Sequence, residues 1–173
     1  AKKTIDIISE AQGIVIFAKN DLKSGTPVKR GELICKIDPS QAENTFQSQY
    51  AEFMRVLISF LAFTNLESDE LYEKWSKYVN ELDVNGPIKD LPEINDPREK
   101  NQAISNNIFT QYYAVKNAEI RLSKHSIYAP FDGSITSSGI VKDSYVNFGQ
   151  KLVSLQDVTN IEVSVPLLLE DAR

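Results

Sequence analysis

The sequence is poor in the residues that build most metal, redox and nucleophilic sites. Its 173 residues include one cysteine, Cys35, and one histidine, His125. A disulfide framework and a Cys/His zinc site each need more of these residues than the chain has. A nucleophile that depends on a histidine base would have to use His125, and no Ser or Cys motif nearby indicates one. We therefore expect no catalytic activity, no metal site and no cofactor.

The sequence also lacks an excess of basic residues and a long apolar run. Lys and Arg number 19 against 24 Asp and Glu, a net charge of −5, whereas nucleic-acid-binding domains usually show the opposite balance. The longest nearly continuous apolar run is 56–63, and a membrane-crossing helix needs about 20 residues. The opening Ala-Lys-Lys-Thr-Ile-Asp has no apolar segment of the signal-peptide kind. We expect no nucleic-acid partner and no membrane span in these residues.

Glycine is almost absent from the middle of the chain, where Gly86 is the only one between residues 39 and 125. Since Gly and Pro are the main punctuators of local structure, this distribution predicts a β-rich frame interrupted by a helical insert over 39–125. Helix starts are indicated at 38–39 and 96–97, where an aspartate cap precedes a proline, and more weakly at Ser68.

Two long helices and a short one are predicted inside the insert. The first carries apolar residues at spacings of four and three: Phe46, Tyr50, Phe53, Leu57 and Phe60. The last, predicted as one continuous helix of roughly 27 residues and about 40 Å, has a seam at Ile104, Ile108, Gln111, Val115, Ala118 and Leu122. These are the periods of packed helices. With a short amphipathic helix over 71–82 and a loop over 83–96, they predict an antiparallel hairpin.

A gapless repeat is the most specific signal. Residues 25–37 align with 143–155 at a constant offset of 118 residues, and the matching positions are Val28/Val146, Gly31/Gly149, Ile34/Leu152 and Ile37/Leu155. Gly25 aligns with Asp143, which tolerates left-handed backbone better than most residues, so we expect the turn to survive. One unit of this size cannot bury its apolar face alone. Residues 10–38 and 126–157 are therefore predicted to pack together as one split sandwich.

The ends of the chain show two further β-type segments, 4–8 and 161–165, in which apolar residues alternate with period two. Two isolated strands bury little apolar surface. Residues 1–9 and 158–173 are therefore predicted to be the cut edge of a further β domain, and the chain is predicted to be a fragment.

The two half-motifs are Gly25-x-x-Val28-Lys-Arg-Gly31-x-Leu33-x-x-x-Ile37-Asp38 and Ile127-x-Ala129-Pro130-Phe131-Asp132-Gly133-x-Ile135. They resemble the split lipoyl (barrel-sandwich) domain of HlyD-type membrane fusion proteins, the periplasmic adaptor subunits of tripartite efflux pumps and secretion systems. The resemblance implies an α+β fold: a split lipoyl-like β-sandwich interrupted by an antiparallel α-helical hairpin, with edge strands of a truncated β-barrel domain. Its structural turns would be Gly25, Gly31, Pro130, Asp132, Gly133 and Gly149.

The same resemblance implies a non-catalytic adaptor that bridges an inner-membrane transporter, of RND or ABC type, and a TolC-like outer-membrane channel. It also implies self-association with six copies in the assembly, and a location in the periplasm of a Gram-negative bacterium. The parent protein would be anchored to the inner membrane. Some family members dock on the channel through an Arg/Leu/Ser pattern at the hairpin tip, but here Arg98 is followed by Gln102 and Phe109. The mode of docking and the substrate stay open.

Two other classes of function stay open. A lipoyl-like sandwich can be a carrier in which a lysine receives lipoate or biotin, but the tight turn that holds that lysine is replaced here by residues 39–125. The hairpin can also belong to a generic coiled-coil interaction module without a transport role.

The hairpin holds the candidate partner contacts. The apolar run 56–63 exceeds what a two-helix seam requires, and the helix around Trp75 either folds back to cover it or leaves Phe60, Phe63 and Trp75 as an exposed patch. The far end of the hairpin is acidic. Asp90 and Glu93 are candidates for steering towards a basic partner.

Overall fold

The structure is a computed structural model that describes residues 4–19 and 22–157, and every structural statement concerns these ranges. The chain divides into two compact units. The first comprises the chain up to Asp38 and from Ser126 onward, and the second is Pro39–His125. The first unit is a β-sandwich and the second is helical.

The described residues of the first unit form two four-stranded sheets. The strands are β1 (Thr4–Ile8), β2 (Gly13–Ala18), β3 (Pro27–Val28), β4 (Leu33–Ile37), β5 (Ser126–Tyr128), β6 (Gly133–Ser138), β7 (Tyr145–Val146) and β8 (Lys151–Asp157). The strand order is β1-β8-β6-β3 in one sheet and β5-β4-β2-β7 in the other. All the neighbouring strands pair antiparallel.

The two halves of the sandwich, β1–β4 and β5–β8, are related by an approximate two-fold repeat. Exchanging β1 with β5, β2 with β6, β3 with β7 and β4 with β8 converts one sheet order into the other. The hydrogen bonds follow the same rule: Val15 N donates to Ser144 O and Ile135 N donates to Thr26 O, each at 2.9 Å. In each sheet the two central strands come from one half and the two edge strands from the other. Neither half therefore completes a sheet alone.

The core between the sheets follows the 118-residue offset. Three pairs of equivalent residues are between 0% and 3% exposed: Val28/Val146, Ile34/Leu152 and Ile37/Leu155. The left-handed turn expected at Asp143 is confirmed, with a φ of 67° against 92° at Gly25. Gly31 and Gly149 share a φ of 79° at the second turn of each unit. The repeat seen in the sequence is therefore a repeat of backbone geometry.

The first strand lies in the sandwich, which differs from the sequence-based assignment of residues 1–9 to an adjoining β-barrel domain. β1 is an edge strand that pairs with β8, with Ile5 opposite Leu155 and Ile7 opposite Val153. The physical reason is the two-fold repeat, because β1 fills in the first half the place that β5 fills in the second. The predicted strand at 161–165 and the rest of 158–173 lie outside the described residues.

The helical unit contains α1 (Ser40–Glu67), α2 (Asp69–Glu81), α3 (Pro97–Ser105) and α4 (Ile108–Ser123), and α1 packs against both α2 and α4. Two predicted caps are confirmed, since Ser68 Oγ accepts from Leu71 N at 3.1 Å and Asp96 Oδ1 accepts from Arg98 N at 2.9 Å. α1 begins one residue later than expected, with Pro39 as its N-cap. Among the described helices, none is long and apolar enough to cross a membrane.

The prediction of one continuous helix after residue 97 is wrong. Asn107 adopts a φ of 59°, which separates α3 from α4. Asn106 and Asn107 are weak helix formers, and asparagine tolerates left-handed backbone better than most residues. The break changes the buried side of α3: Ala103 is 0% exposed, whereas Ile104, which the seam spacing placed in the core, is 53% exposed.

Candidate partner-contact surface of the helical unit

Trp75 lies at the centre of the helical unit's core. Its ring meets Phe60 edge-on with centroids 4.9 Å apart, and Tyr78 edge-on with centroids 6.1 Å apart. Its Nε1 donates a hydrogen bond to Glu99 Oε1 at 2.7 Å. Trp75 and Phe60 are both 0% exposed. α2 therefore covers the apolar run of α1 that exceeds a two-helix seam.

The structure places Phe60 and Trp75 in the core instead of on a partner-contact patch. Of the two alternatives predicted from the sequence, the structure shows the one in which the short helix folds back over residues 56–63. A fully buried ring offers no surface to a partner, so these two candidates are corrected to core residues. Phe63 differs, because it is half-buried and stacks on Phe60 with centroids 5.8 Å apart. Phe63 alone of the three aromatic candidates keeps accessible surface.

Leu66 is the most exposed large apolar side chain among the described residues, at 85%. It lies near the end of α1, beyond Phe63. An open cleft of about 350 Å³ beside this end is lined by Phe63, Glu67, Arg98, Asn101 and Gln102. A second cleft, of about 410 Å³, lies between the start of α2 and residues 93–99 and shares Glu67 and Arg98 with the first. The sequence did give one signal for Leu66, since it falls outside the spacing of the α1 seam.

The loop between α2 and α3 is held on α4 through the backbone of Ile88. Glu119 Oε1 accepts a hydrogen bond from Ile88 N at 2.7 Å, and Lys116 Nζ donates to Ile88 O. The two side chains lie 3.6 Å apart, three residues apart on α4, and Ile88 is 2% exposed. Sequence reasoning missed this clamp because a side chain that binds a distant peptide group leaves no local pattern.

The acidic candidates are exposed. Asp90 Oδ1 accepts a hydrogen bond from Tyr112 Oη at 2.9 Å, while the Asp90 side chain is 92% exposed. Burial of the phenol, together with this acidic partner, raises the pKa of Tyr112 to about 12. The carbonyl oxygen of Glu93 accepts from Lys74 Nζ at 3.0 Å, and Glu93 is an exposed residue. Asp90 and Glu93 thus lie on an ordered loop with their side chains available to a partner.

The predicted turn residues of the sandwich make close contacts, within one half at Gly133 and across the two halves at Asp132. A Cβ at Gly133 would lie 2.5 Å from Gln156 O, so the close approach of β6 and β8 requires glycine. Asp132 Oδ1 accepts a hydrogen bond from Arg30 N at 2.7 Å across the two halves. Pro130 lies exposed in the bend between β5 and β6. These residues set strand positions in the sandwich.

A two-fold sandwich whose halves exchange strands and are separated by a helical insert defines a barrel-sandwich hybrid. The family described as RND MFP, barrel-sandwich hybrid domain, matches residues 3–157. The chain belongs to this family of membrane fusion proteins.

Solved structures share the fold at low sequence identity. A proposed efflux transporter from Bacteroides eggerthii aligns with a TM-score of 0.61 and 18% identity, over 92% of this chain and 41% of that protein. A MacA–MexA chimera with the Pseudomonas aeruginosa MexA α-hairpin domain aligns at 0.58 and 22%, over 90% and 48%. The periplasmic adaptor protein EmrA aligns at 0.57 and 15%, over 90% and 72%. The chain thus spans less than half of the first two proteins.

Proposed function

We propose that the chain is the central part of a non-catalytic periplasmic adaptor that bridges an inner-membrane transporter and a TolC-like outer-membrane channel in efflux or secretion. The observation that carries the proposal is the helical unit, Pro39–His125, inserted between β4 and β5 of a barrel-sandwich hybrid of the membrane fusion family. The chain spans only part of its relatives. The type of the transporter, RND or ABC, is therefore a question about the parent protein and not about this chain alone.

Rigidity of both units supports a mechanical role. The reciprocal hydrogen bonds between the halves hold the sandwich in one register, as between Val15 and Ser144. In the helical unit, α1 has 28 residues, and at 1.5 Å per residue it is about 42 Å long. α2 braces it through the contact of Trp75 with Phe60, and the loop is held on α4 at Ile88. A braced helix of this length suits a spacer between two membrane proteins.

The contact with the outer-membrane channel is assigned to the end of the helical unit where α1 meets α2. Leu66 and Phe63 supply apolar surface beside the two clefts. Glu93 lines the second cleft and supplies exposed negative charge there, which favours a partner with a basic rim. Asp90 supplies further exposed charge on the same loop, beside Tyr112. An apolar contact surrounded by charge is the usual arrangement at protein interfaces.

The proposal also includes location and assembly. The family and the likeness to a periplasmic adaptor support a periplasmic location in a Gram-negative bacterium, with the parent protein anchored to the inner membrane. Several copies, six by family resemblance, would surround one conduit.

The decisive experiment is complementation of transport. A strain without the full-length gene should become sensitive to a panel of exported compounds, and the wild-type gene should restore resistance. A gene in which a short linker replaces residues 39–125 should not restore it. Full restoration by that gene would contradict the bridging role, and an added lipoyl or biotinyl mass on the purified protein would favour the carrier function instead.

Point variants locate the contact. Leu66→Glu should lower resistance without loss of protein, because it places a charge in the apolar part of the contact. Ile58→Glu is the matched control, since Ile58 lies on the same helix and is 58% exposed. Equal effects of the two variants would show that the contact is elsewhere. Binding to the channel that does not change with salt would argue against a role for Asp90 and Glu93.

A further inference from the structure

The loop that follows α2 opens with the only Asn-Gly pair of the chain, Asn85–Gly86. Gly86 N donates a hydrogen bond to Asp83 O at 3.1 Å, which closes a turn over residues 83–86. Asn85 N donates to Asp83 Oδ1 at 2.9 Å, and Asn85 is an exposed residue. The side-chain amide of Asn85 is therefore open to water and lies next to a peptide nitrogen that belongs to glycine.

An asparagine followed by glycine can react with its own backbone. Gly86 N attacks the side-chain carbonyl carbon of Asn85 and closes a five-membered imide ring, while the side-chain nitrogen leaves as ammonia with the proton that Gly86 N gives up. Water then opens the ring at either carbonyl carbon, which leaves aspartate or isoaspartate at position 85. One water is consumed and one ammonia is released, so the step needs no oxidant or reductant. Glycine favours ring closure because it has no Cβ to crowd the attacking nitrogen.

Other positions in the described ranges are hindered or already engaged. Asn147 is exposed in a turn of the sandwich, but the Cβ of the next residue, Phe148, crowds the attacking nitrogen. The one Asp-Gly pair of the chain, Asp132–Gly133, can form the same ring by loss of water. Its carboxylate accepts a hydrogen bond from Arg30 N at 2.7 Å, and its glycine is buried in β6. The pair after α2 combines an open side chain with an unhindered nitrogen.

We propose that Asn85–Gly86 is a site of spontaneous covalent modification, at which the folded chain converts Asn85 to aspartate and isoaspartate, and that isoaspartate at this position loosens the hold of Glu119 on Ile88. The reaction needs no partner and no enzyme. It is therefore independent of the proposed role in transport.

The site lies three residues before the clamped backbone of Ile88. Ile88 N donates to Glu119 Oε1 at 2.7 Å, and the next carbonyl, Lys89 O, accepts from Tyr78 Oη at 2.8 Å. Isoaspartate moves one methylene from the side chain into the backbone, so the path from the end of α2 to Ile88 becomes longer. Because a hydrogen bond weakens as its distance and angle depart from the ideal, the longer path weakens the clamp.

The aspartate product has a smaller effect than isoaspartate. It adds a negative charge to an exposed turn that already holds Asp83. Salt screens repulsion between exposed charges, and the backbone keeps its length. The two products therefore separate the effect of charge from the effect of backbone length.

Peptide mapping by mass spectrometry tests the modification. The purified chain is incubated at mildly alkaline pH, which favours loss of the proton from Gly86 N, and is then digested in acid, which stops the reaction. Aspartate and isoaspartate at position 85 should accumulate steadily, while Asn147 and Asp132 stay unchanged. A folded chain that shows no conversion at position 85, over a period in which the free peptide 81–90 converts fully, would overturn the proposal.

Gly86→Ala is the matched variant. Its Cβ would meet Asp83 Cβ at 3.6 Å, an ordinary contact, so the turn can accept it. The same Cβ crowds the attacking nitrogen, and conversion at position 85 should slow several-fold. An unchanged rate would show that the reaction does not pass through the ring and would contradict the assignment of the site.

Hydrogen exchange by NMR tests the effect on the clamp. After incubation, the Ile88 amide of the isoaspartate form should exchange several-fold faster than that of the fresh chain. Gly86→Ala, incubated in the same way, should keep its protection. Asn85→Asp, which adds the charge at unchanged backbone length, should stay close to wild type. Unchanged protection in the isoaspartate form, or an equal loss in Asn85→Asp, would overturn the role of the longer backbone.

Discussion

Trp75 Nε1 donates a 2.7 Å hydrogen bond to Oε1 of Glu99, a residue 24 positions further along the chain. The same oxygen lies 2.6 Å from Lys74 Nζ. Trp75 and Glu99 are 0% and 4% exposed. Because buried polar groups require partners, this pair joins α2 to α3 around the only tryptophan of the chain.

Glu99→Ala should destabilise the helical unit by about 1–3 kcal/mol, because it leaves the buried indole N–H without an acceptor. Glu99→Gln keeps an acceptor for the indole N–H and should lose less stability than Glu99→Ala. The measurement is urea unfolding followed by Trp75 fluorescence. Glu73→Ala, an exposed change on α2, is the control and should stay within about 0.5 kcal/mol of wild type. Equal losses for the Ala and Gln variants would show that the hydrogen bond contributes little.

Glu119→Ala should release the loop between α2 and α3, since Glu119 is the acceptor for the backbone N–H of Ile88. The amide of Ile88 should then exchange with solvent faster, and stability should fall by about 1–2 kcal/mol. Hydrogen exchange by NMR measures the first effect and urea unfolding the second. Asn117→Ala, an exposed change on the same helix, should leave the Ile88 amide protected. Unchanged protection in Glu119→Ala would exclude the clamp.

Asn107→Gly should be neutral or slightly stabilising, whereas Asn107→Ala should cost about 1–2 kcal/mol, because alanine resists left-handed backbone. Circular dichroism and thermal unfolding of the two variants provide the comparison. A rise in helix content without loss of stability in Asn107→Ala would mean that α3 and α4 can merge, with Ile104 then entering the seam.

Gly133→Ala should unfold or strongly destabilise the sandwich, because the new Cβ would lie 2.5 Å from a backbone oxygen, Gln156 O. Gly139→Ala is the matched control. Its Cβ would meet its nearest atom, Lys151 O, at an ordinary 3.6 Å. The rate at which a thiol reagent reaches Cys35, which is buried in the sandwich core, reports opening of this unit. Equal labelling rates in both variants would contradict the close approach.

Burial raises the pKa of Cys35 from its ordinary 9.0 to about 11. Because the folded-state value is the higher one, the stability linked to this thiol is complete below pH 9.0 and is lost as the pH rises towards 11. Cys35→Val, which copies the residue at the equivalent position 153, should remove this loss. The free energy of unfolding of both proteins between pH 8 and about 11 provides the measurement. Parallel pH profiles would show that Cys35 does not contribute.

Signals between near neighbours were readable in the sequence. Ser68 and Asp96 cap their helices as predicted, because a cap needs only the next few residues. The offset of 118 residues determined which positions of residues 25–37 and 143–155 are equivalent, since both turns need residues that tolerate left-handed backbone: Gly25 and Asp143 in one, Gly31 and Gly149 in the other. The offset of 118 residues did not assign β1, because Ile7 and Ile127 hold equivalent places opposite Val153 and Cys35 at an offset of 120, and the partner strand β8 lies at the other end of the chain. The motifs of the repeat also indicated the family, which the match of the family model over residues 3–157 confirms.

The sequence by itself determined the repeat, the helical insert and the helix caps. Only the tertiary structure decided that Trp75 and Phe60 are core residues, that Asn107 breaks the last helix, and that Glu119 holds the backbone of Ile88. The physical reason is distance along the chain. Turn and helix preferences act within a few residues, whereas burial and long-range hydrogen bonds depend on which segments the completed fold brings together.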